Sequence, residues 1–158
     1  MGTIIVYATK HGTVEKAIGL LKEKMSVEIE TYHVGKDQVP SLESYDTVII
    51  GGSIYVGKVQ NELVQFINEN LDELLTKKVG LFLCAGHPDA EQLNKEMHDS
   101  FPEVLYNHAY AKEVFGYGFD FEKMNFLERL IIKKIQGVKE SQYALSDEKI
   151  SNFADAMM

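Results

Sequence analysis

One cysteine, Cys84, in 158 residues rules out an internal disulfide, and no basic segment followed by an apolar stretch opens the sequence, so a cytoplasmic location is expected. Cationic residues are also short, with 16 Lys and Arg against 24 Asp and Glu. The resulting net charge of −8 and pI near 5.1 do not suit a nucleic-acid backbone, so no nucleic acid is expected and a basic protein partner, or none, is favoured. No apolar run approaches the roughly 18 residues of a membrane span. The five histidines lack paired ligand spacing, which argues against a metal site. No internal repeat, low-complexity tract or linker divides the chain, so residues 1–158 are expected to form one domain, and a hydrophobic content of 45% is enough for its core.

What is present is concentrated near the start. Residues 4–15, Ile-Ile-Val-Tyr-Ala-Thr-Lys-His-Gly-Thr-Val-Glu, run from an apolar strand through a hydroxyl- and glycine-bearing turn into an amphipathic helix. The first N–H groups of such a helix have no internal partner and its dipole is positive there, so a phosphate fits. Thr9 and Thr13 offer hydroxyls, and Gly12 permits close approach or a positive φ. The loop has a single glycine, which excludes both the Walker pattern and the dinucleotide fingerprint. A phosphate-receiver site needs acids at the strand ends, where the chain has Ala8-Thr9-Lys10 and Gly51-Gly52-Ser53. A cysteine phosphatase needs its thiol in this loop. A turn that holds a phosphate monoester without cleaving it remains.

Further along, strand and helix patterns alternate. Residues 27–32 alternate as an edge strand, 47–50 read as a short buried strand, 79–85 are uniformly apolar and hence central, and Ala111–Phe119 reads as a fifth strand. Apolar positions at helical spacing follow: Ala17, Ile18, Leu21 and Met25; Leu63, Phe66, Ile67, Leu71 and Leu74; and Leu93, Met97 and Phe101, stopped by Pro102. Two last helices are expected over residues 124–135 and 147–157. The fold class is therefore α/β, a three-layer, doubly wound, five-stranded parallel sheet of order 2-1-3-4-5. Ligands in such sheets lie beyond the carboxyl ends of the strands, at the switch point between the first and third. Gly116-Tyr117-Gly118-Phe119 has two glycines of a dinucleotide fingerprint but no third, and reads as the end of the fifth strand.

Thr9-Lys10-His11-Gly12-Thr13-Val14 after a first strand resembles the FMN-phosphate loop of the flavodoxins, usually Ser/Thr-x-Thr-Gly-x-Thr, and the strand order is the flavodoxin-like one. His11 and Val14 stand where the family carries hydroxyls; backbone donors survive both changes. The resemblance implies that the loop after the third strand, with Ser53, Ile54, Tyr55, Val56 and Gly57, covers one face of the isoalloxazine. Tyr55 is the expected stacking residue, since the chain has no Trp; the alternative is that it packs on the following helix. The loop after the fourth strand, Ala85, Gly86 and His87, would meet the pyrimidine edge through its backbone. The His87 side chain reads as a solvated surface group, and Cys84 as a small buried hydrophobe.

The resemblance implies an FMN-binding redox protein of electron transport, working with redox partner proteins or with a small-molecule reductant or quinone. Gly-Gly-Ser-Ile-Tyr-Val-Gly at 51–57 and the stretch 124–135 look more like the branch of menaquinone-dependent protoporphyrinogen oxidases, which makes a flavin-dependent oxidoreductase the alternative. A flavin-free binding module is a second alternative. The stripe Phe126, Leu127, Leu130, Ile131 and Ile135, bordered by Arg129, Lys133 and Lys134, fits a membrane interface, but the core face of a closing helix is the favoured reading. The loops expected to face the flavin carry Lys10, His11, Lys58 and His87 against Glu15 and Asp89, a milder charge than the chain's, and this favours a higher potential and a two-electron enzyme over a low-potential carrier.

Overall fold

In the first strand, β1 (Gly2–Tyr7), Ile4 and Val6 enter one core while Ile5 and Tyr7 enter another, the period of a strand buried on both faces. The computed structural model describes residues 2–9, 12–54, 58–86, 90–119 and 142–158. Parallel strands β2 (Ile29–His33) and β3 (Tyr45–Ser53) flank β1, and β4 (Lys78–Cys84) and β5 (Ala111–Phe119) continue beyond β3. The parallel order is thus 2-1-3-4-5, as the sequence predicts. A sixth strand, β6 (Gln142–Leu145), pairs antiparallel with the end of β5, from Gly116 opposite Leu145 to Phe119 opposite Gln142. Four residues give too little alternation to be read as a strand, but they cover what would otherwise be an open edge.

Helices cover both faces. On one side lie α1 (Thr13–Lys24) and α6 (Asp147–Met157), whose Val14, Ala17, Leu21, Ile150 and Phe153 pack with Ile49, Phe82 and Phe115. Lys24 and Asp147 join these helices by an ion pair of 2.7 Å. On the other side lie α2 (Asn61–Glu69), α3 (Leu71–Leu74), α4 (Ala90–Asp99) and α5 (Glu103–His108), contributing Leu63, Phe66, Ile67, Leu74, Met97 and Leu105. The apolar stripe from Leu63 to Leu74 is two helices rather than one. Asn70 leaves helical geometry at φ −117 and ψ 12, and its side-chain amide donates to the Phe66 carbonyl at 2.8 Å. α4 ends at Asp99, ahead of Phe101, which the apolar spacing placed on it, and of Pro102; the Pro102 φ of −55 with ψ of 139 opens α5, since the residue before a helix needs extended backbone. No helix among the described residues is long and apolar enough to cross a membrane. The expected helix over residues 124–135 lies outside the described residues.

Candidate functional site

The three loops expected to hold a ligand leave the sheet from one row of hydrogen bonds. Ala8 N–H donates to the Gly51 carbonyl at 3.1 Å, Ile54 N–H to the Cys84 carbonyl at 3.0 Å, and Ala85 N–H to the Gly116 carbonyl at 2.7 Å. These bonds continue the parallel ladders one residue beyond the paired ends Tyr7 opposite Gly51, Ser53 opposite Cys84 and Cys84 opposite Gly116. The carboxyl ends of β1, β3, β4 and β5 are therefore tied together, with the change of winding direction between β1 and β3.

At the first of these ends the backbone turns sharply. Gly12, at φ 84 and ψ 1, stands in the left-handed region before α1, where a Cβ would be strained. Its N–H donates to Thr9 Oγ1 at 3.2 Å, so the Thr9 hydroxyl holds the turn closed. The first bond within the helix runs from Lys16 N–H to the Gly12 carbonyl at 3.2 Å. The N–H groups ahead of it have no acceptor in their own helix, which makes this end suited to an anion. Thr13 and Val14 are both buried, and Val14 packs wholly into the core, so the turn can use Val14 only through its backbone. Lys10 and His11 lie outside the described residues.

The second loop is gripped from its far side. Gln60 Oε1 accepts the Ser53 N–H at 3.1 Å and Gln60 Nε2 donates to Ser53 Oγ at 2.9 Å. The Ser53 N–H can only donate, so it fixes which end of the Gln60 amide is oxygen. The start of the loop is thus locked to the residue ahead of α2, and Ile54 is held to β4 through its N–H. Tyr55, Val56 and Gly57, including the expected stacking ring, lie outside the described residues; Lys58, just beyond them, is exposed.

In the third loop Ala85 is buried and Gly86 exposed, while His87 lies outside the described residues. Cys84 beneath them is buried, and burial pushes its thiol pKa up to about 12. Beside the first loop, burial and then the carboxylate of Glu15 push Tyr7 up to about 12, and its hydroxyl reaches Glu15 Oε2 at 3.4 Å. His33 at the end of β2 meets the Tyr7 ring edge-on at 5.1 Å. Its Nδ1 accepts the Gly35 N–H at 3.0 Å, and its buried Nε2 has no hydrogen-bond partner among the described residues.

A cleft of about 540 Å³ between α2 and α4 is a rival location, lined by Lys58, Val64, Gln92, Lys95 and Phe101 among others. Two of its polar pairs close within α4: Lys95 pairs with Asp99 at 2.8 Å and Gln92 reaches Glu96 at 3.4 Å. Among the described residues its lining comes from these helices and the segments beside them, not from the carboxyl ends of the strands, where the fold gathers its loops.

Sequence reasoning missed Gln60 and Tyr117 as parts of this site. Gln60 belongs to a helix start seven residues beyond Ser53, and glutamine there signals only a polar surface. Tyr117 lies in what reads as a strand end, and its ring rests against Gly86.

The family described as Flavodoxin domain matches residues 4–145 of the chain. No curated protein matches it. Among solved structures, a short-chain flavodoxin associated with a non-canonical PDU bacterial microcompartment superposes with a TM-score of 0.63 at 17% identity, covering 99% of this chain and 97% of that one. The flavodoxin of Streptococcus pneumonia TIGR4 gives 0.61 at 15% identity with the same coverage. The rubredoxin oxygen:oxidoreductase of Desulfovibrio gigas gives 0.62 at 12% identity over 99% of this chain, which spans about a third, 35%, of that one. Identities this low speak for the fold alone.

Proposed function

The chain belongs to the flavodoxin domain family, and from that premise we propose that it binds FMN non-covalently beyond the carboxyl ends of β1, β3 and β4 and carries electrons between redox partner proteins. The observation that carries the reading is the row of bonds from Ala8, Ile54 and Ala85, which brings the turn ahead of α1 and the starts of two further loops to one end of the sheet. The residues present fit the cofactor. Gly12, in a conformation that favours glycine, opens the N-terminus of α1, and Thr9 fixes that turn, so a phosphate there would meet backbone N–H groups and the Thr13 side of the helix. Ser53 and Ile54, held by Gln60 and Cys84, would place the second loop over the ring, and Ala85, Gly86 and His87 would present backbone donors and acceptors to its pyrimidine edge. Bound FMN supplies reversible uptake of electrons one or two at a time, and the chain's task is to bind it, orient it and set its surroundings.

The acidic surface suits transient docking to a basic redox partner, where long-range steering matters more than contact area. The narrower likeness to protoporphyrinogen oxidases rests on residues 51–57 and 124–135, of which 55–57 and 124–135 lie outside the described residues; the family match and the likeness to solved flavodoxins favour the carrier reading.

Apo-protein titrated with FMN and with riboflavin, followed by an anaerobic reductive titration of the FMN complex, tests the reading. Tight FMN binding, weaker riboflavin binding and reduction in two resolved one-electron steps are expected. Reduction in a single two-electron step would replace the carrier with a flavin-dependent oxidoreductase, and a colourless protein that takes up no FMN would overturn both.

A further inference from the structure

β5 is not among the elements from which flavin contacts are expected, yet its end decides where the third loop stands. Leu83 pairs with Val114, but the next pair is Cys84 with Gly116, so Phe115 is an extra residue on the β5 side. Phe115 is fully buried and stacked on Phe82, with ring centroids 4.7 Å apart and planes 16° from parallel, so the core holds the extra residue in place. The chain recovers at Gly116 with φ 122, a value that side-chain-bearing residues rarely adopt. A bulge of this kind re-aims the residue that follows it.

Two contacts result, both on the third loop. The Gly116 carbonyl accepts the Ala85 N–H at 2.7 Å. Tyr117 then lies directly against Gly86: a Cβ placed on Gly86 would fall 2.6 Å from Tyr117 Cγ and 2.8 Å from its Cβ. Those two atoms are set by the β5 backbone and the first side-chain torsion, so the ring's outer end cannot swing away to make room. Tyr117 is itself only half-buried.

We propose that Tyr117 is a positioning residue for the flavin ring. Its side chain and the Gly116 carbonyl clamp Ala85 and Gly86, the backbone that meets the pyrimidine edge on the reading above, and this proposal rests on that reading. The clamp acts on the isoalloxazine, not on the phosphate, and the two ends of the cofactor can be told apart by ligand.

Tyr117→Phe, Tyr117→Ala, Gly86→Ala and the Gly86→Ala/Tyr117→Ala double variant are titrated with FMN and riboflavin, with thermal unfolding of each apo-protein measured alongside and Thr9→Ala as the contrast. The ring, not the hydroxyl, makes the contact, so Tyr117→Phe should bind like wild type. Tyr117→Ala should weaken FMN and riboflavin by the same factor, about tenfold, or ~1.4 kcal/mol. Thr9→Ala should lose affinity for FMN while riboflavin binding holds. Gly86→Ala should weaken both ligands, and adding Tyr117→Ala should restore part of the loss, a coupling expected only of residues in contact. If Tyr117→Ala does not fold, the equal loss of both ligands in Gly86→Ala carries the test. Wild-type affinity in Tyr117→Ala, a loss confined to FMN, or additive effects in the double variant would overturn the clamp. A wild-type protein that binds neither ligand would overturn the flavin reading itself.

Discussion

Gln60 holds Ser53 by two hydrogen bonds at once, accepting its N–H at 3.1 Å and donating to its hydroxyl at 2.9 Å. The pair spans the loop that would cover the flavin, with one residue at the end of β3 and the other just ahead of α2. Removing the amide in Gln60→Ala leaves the Ser53 N–H without its acceptor, and such a loss costs about 1–3 kcal/mol where water cannot replace it. Gln60→Glu keeps an oxygen for the N–H, and the Ser53 hydroxyl can turn to donate, so that variant should be closer to wild type. Denaturant unfolding and FMN titration check this: Gln60→Ala should be the less stable and weaker-binding variant. Equal stability for Gln60→Ala and wild type would show that the clasp holds nothing.

Gly12 makes a second, independent case. At φ 84 an alanine is strained by roughly 1–2 kcal/mol, and asparagine, which tolerates this region better, should cost less. The strain falls on the turn that Thr9 closes, so Gly12→Ala should narrow the preference for FMN over riboflavin as well as lower stability. A Gly12→Ala protein with an unchanged FMN-to-riboflavin ratio would place the phosphate elsewhere.

Much of the fold was readable in the sequence because strands buried on both faces write themselves as continuous apolar runs. Val79 to Cys84 is such a run, and Ala111–Phe119 and Asp147–Met157 have the bounds that their patterns suggest. What escaped were features set by contacts across the sheet. The break at Asn70 depends on a side chain bonding back to Phe66, and β6 is too short to alternate. At the candidate site, Thr9 and Gly12 could be recognised because a tight turn demands particular residue types. Gln60 and Tyr117 could not, since each acts on a backbone that the fold alone brings near.

Alkaline stability follows from three protons that the folded chain holds more tightly than the unfolded one. Tyr7 is raised from 10.0 to about 12 by burial and then by Glu15. Tyr45 is also raised, first by its 2.6 Å hydrogen bond to Glu30 and then by burial. Cys84 is raised from 9.0 to about 12 by burial. The folded chain therefore keeps protons that the unfolded chain gives up. These groups leave stability flat below pH 9.0 and lower it as pH rises from there toward about 12. Denaturant unfolding across this range should show that decline, and the Tyr7→Phe/Tyr45→Phe double variant should make it shallower above pH 10.0 while leaving the part that Cys84 contributes from pH 9.0. An unchanged slope in the double variant would put the alkaline transition elsewhere.

The same burial makes Cys84 a gauge of whether the strand ends stay closed. Only the thiolate is nucleophilic, and at pH 8 a thiol with a pKa of about 12 is ionised to roughly one part in ten thousand, far below an exposed cysteine. With its side chain also shut off from solvent, iodoacetamide should reach Cys84 only when the chain opens. Alkylation followed by intact mass should therefore be at least about a hundredfold slower in the folded protein than in denaturant, and slower again with FMN added, since a ligand that binds only the closed state lowers the open fraction. The Cys84 carbonyl carries the Ile54 N–H, and the next residue, Ala85, hangs from Gly116, so a bulky adduct on the thiol would spread the ladder beneath two of the three loops. Modified protein should accordingly fail to bind FMN. Fast labelling of the folded protein that leaves FMN binding intact would mean that the end of β4 is open to solvent and that the row of bonds from Ala8 to Ala85 is not what holds the site.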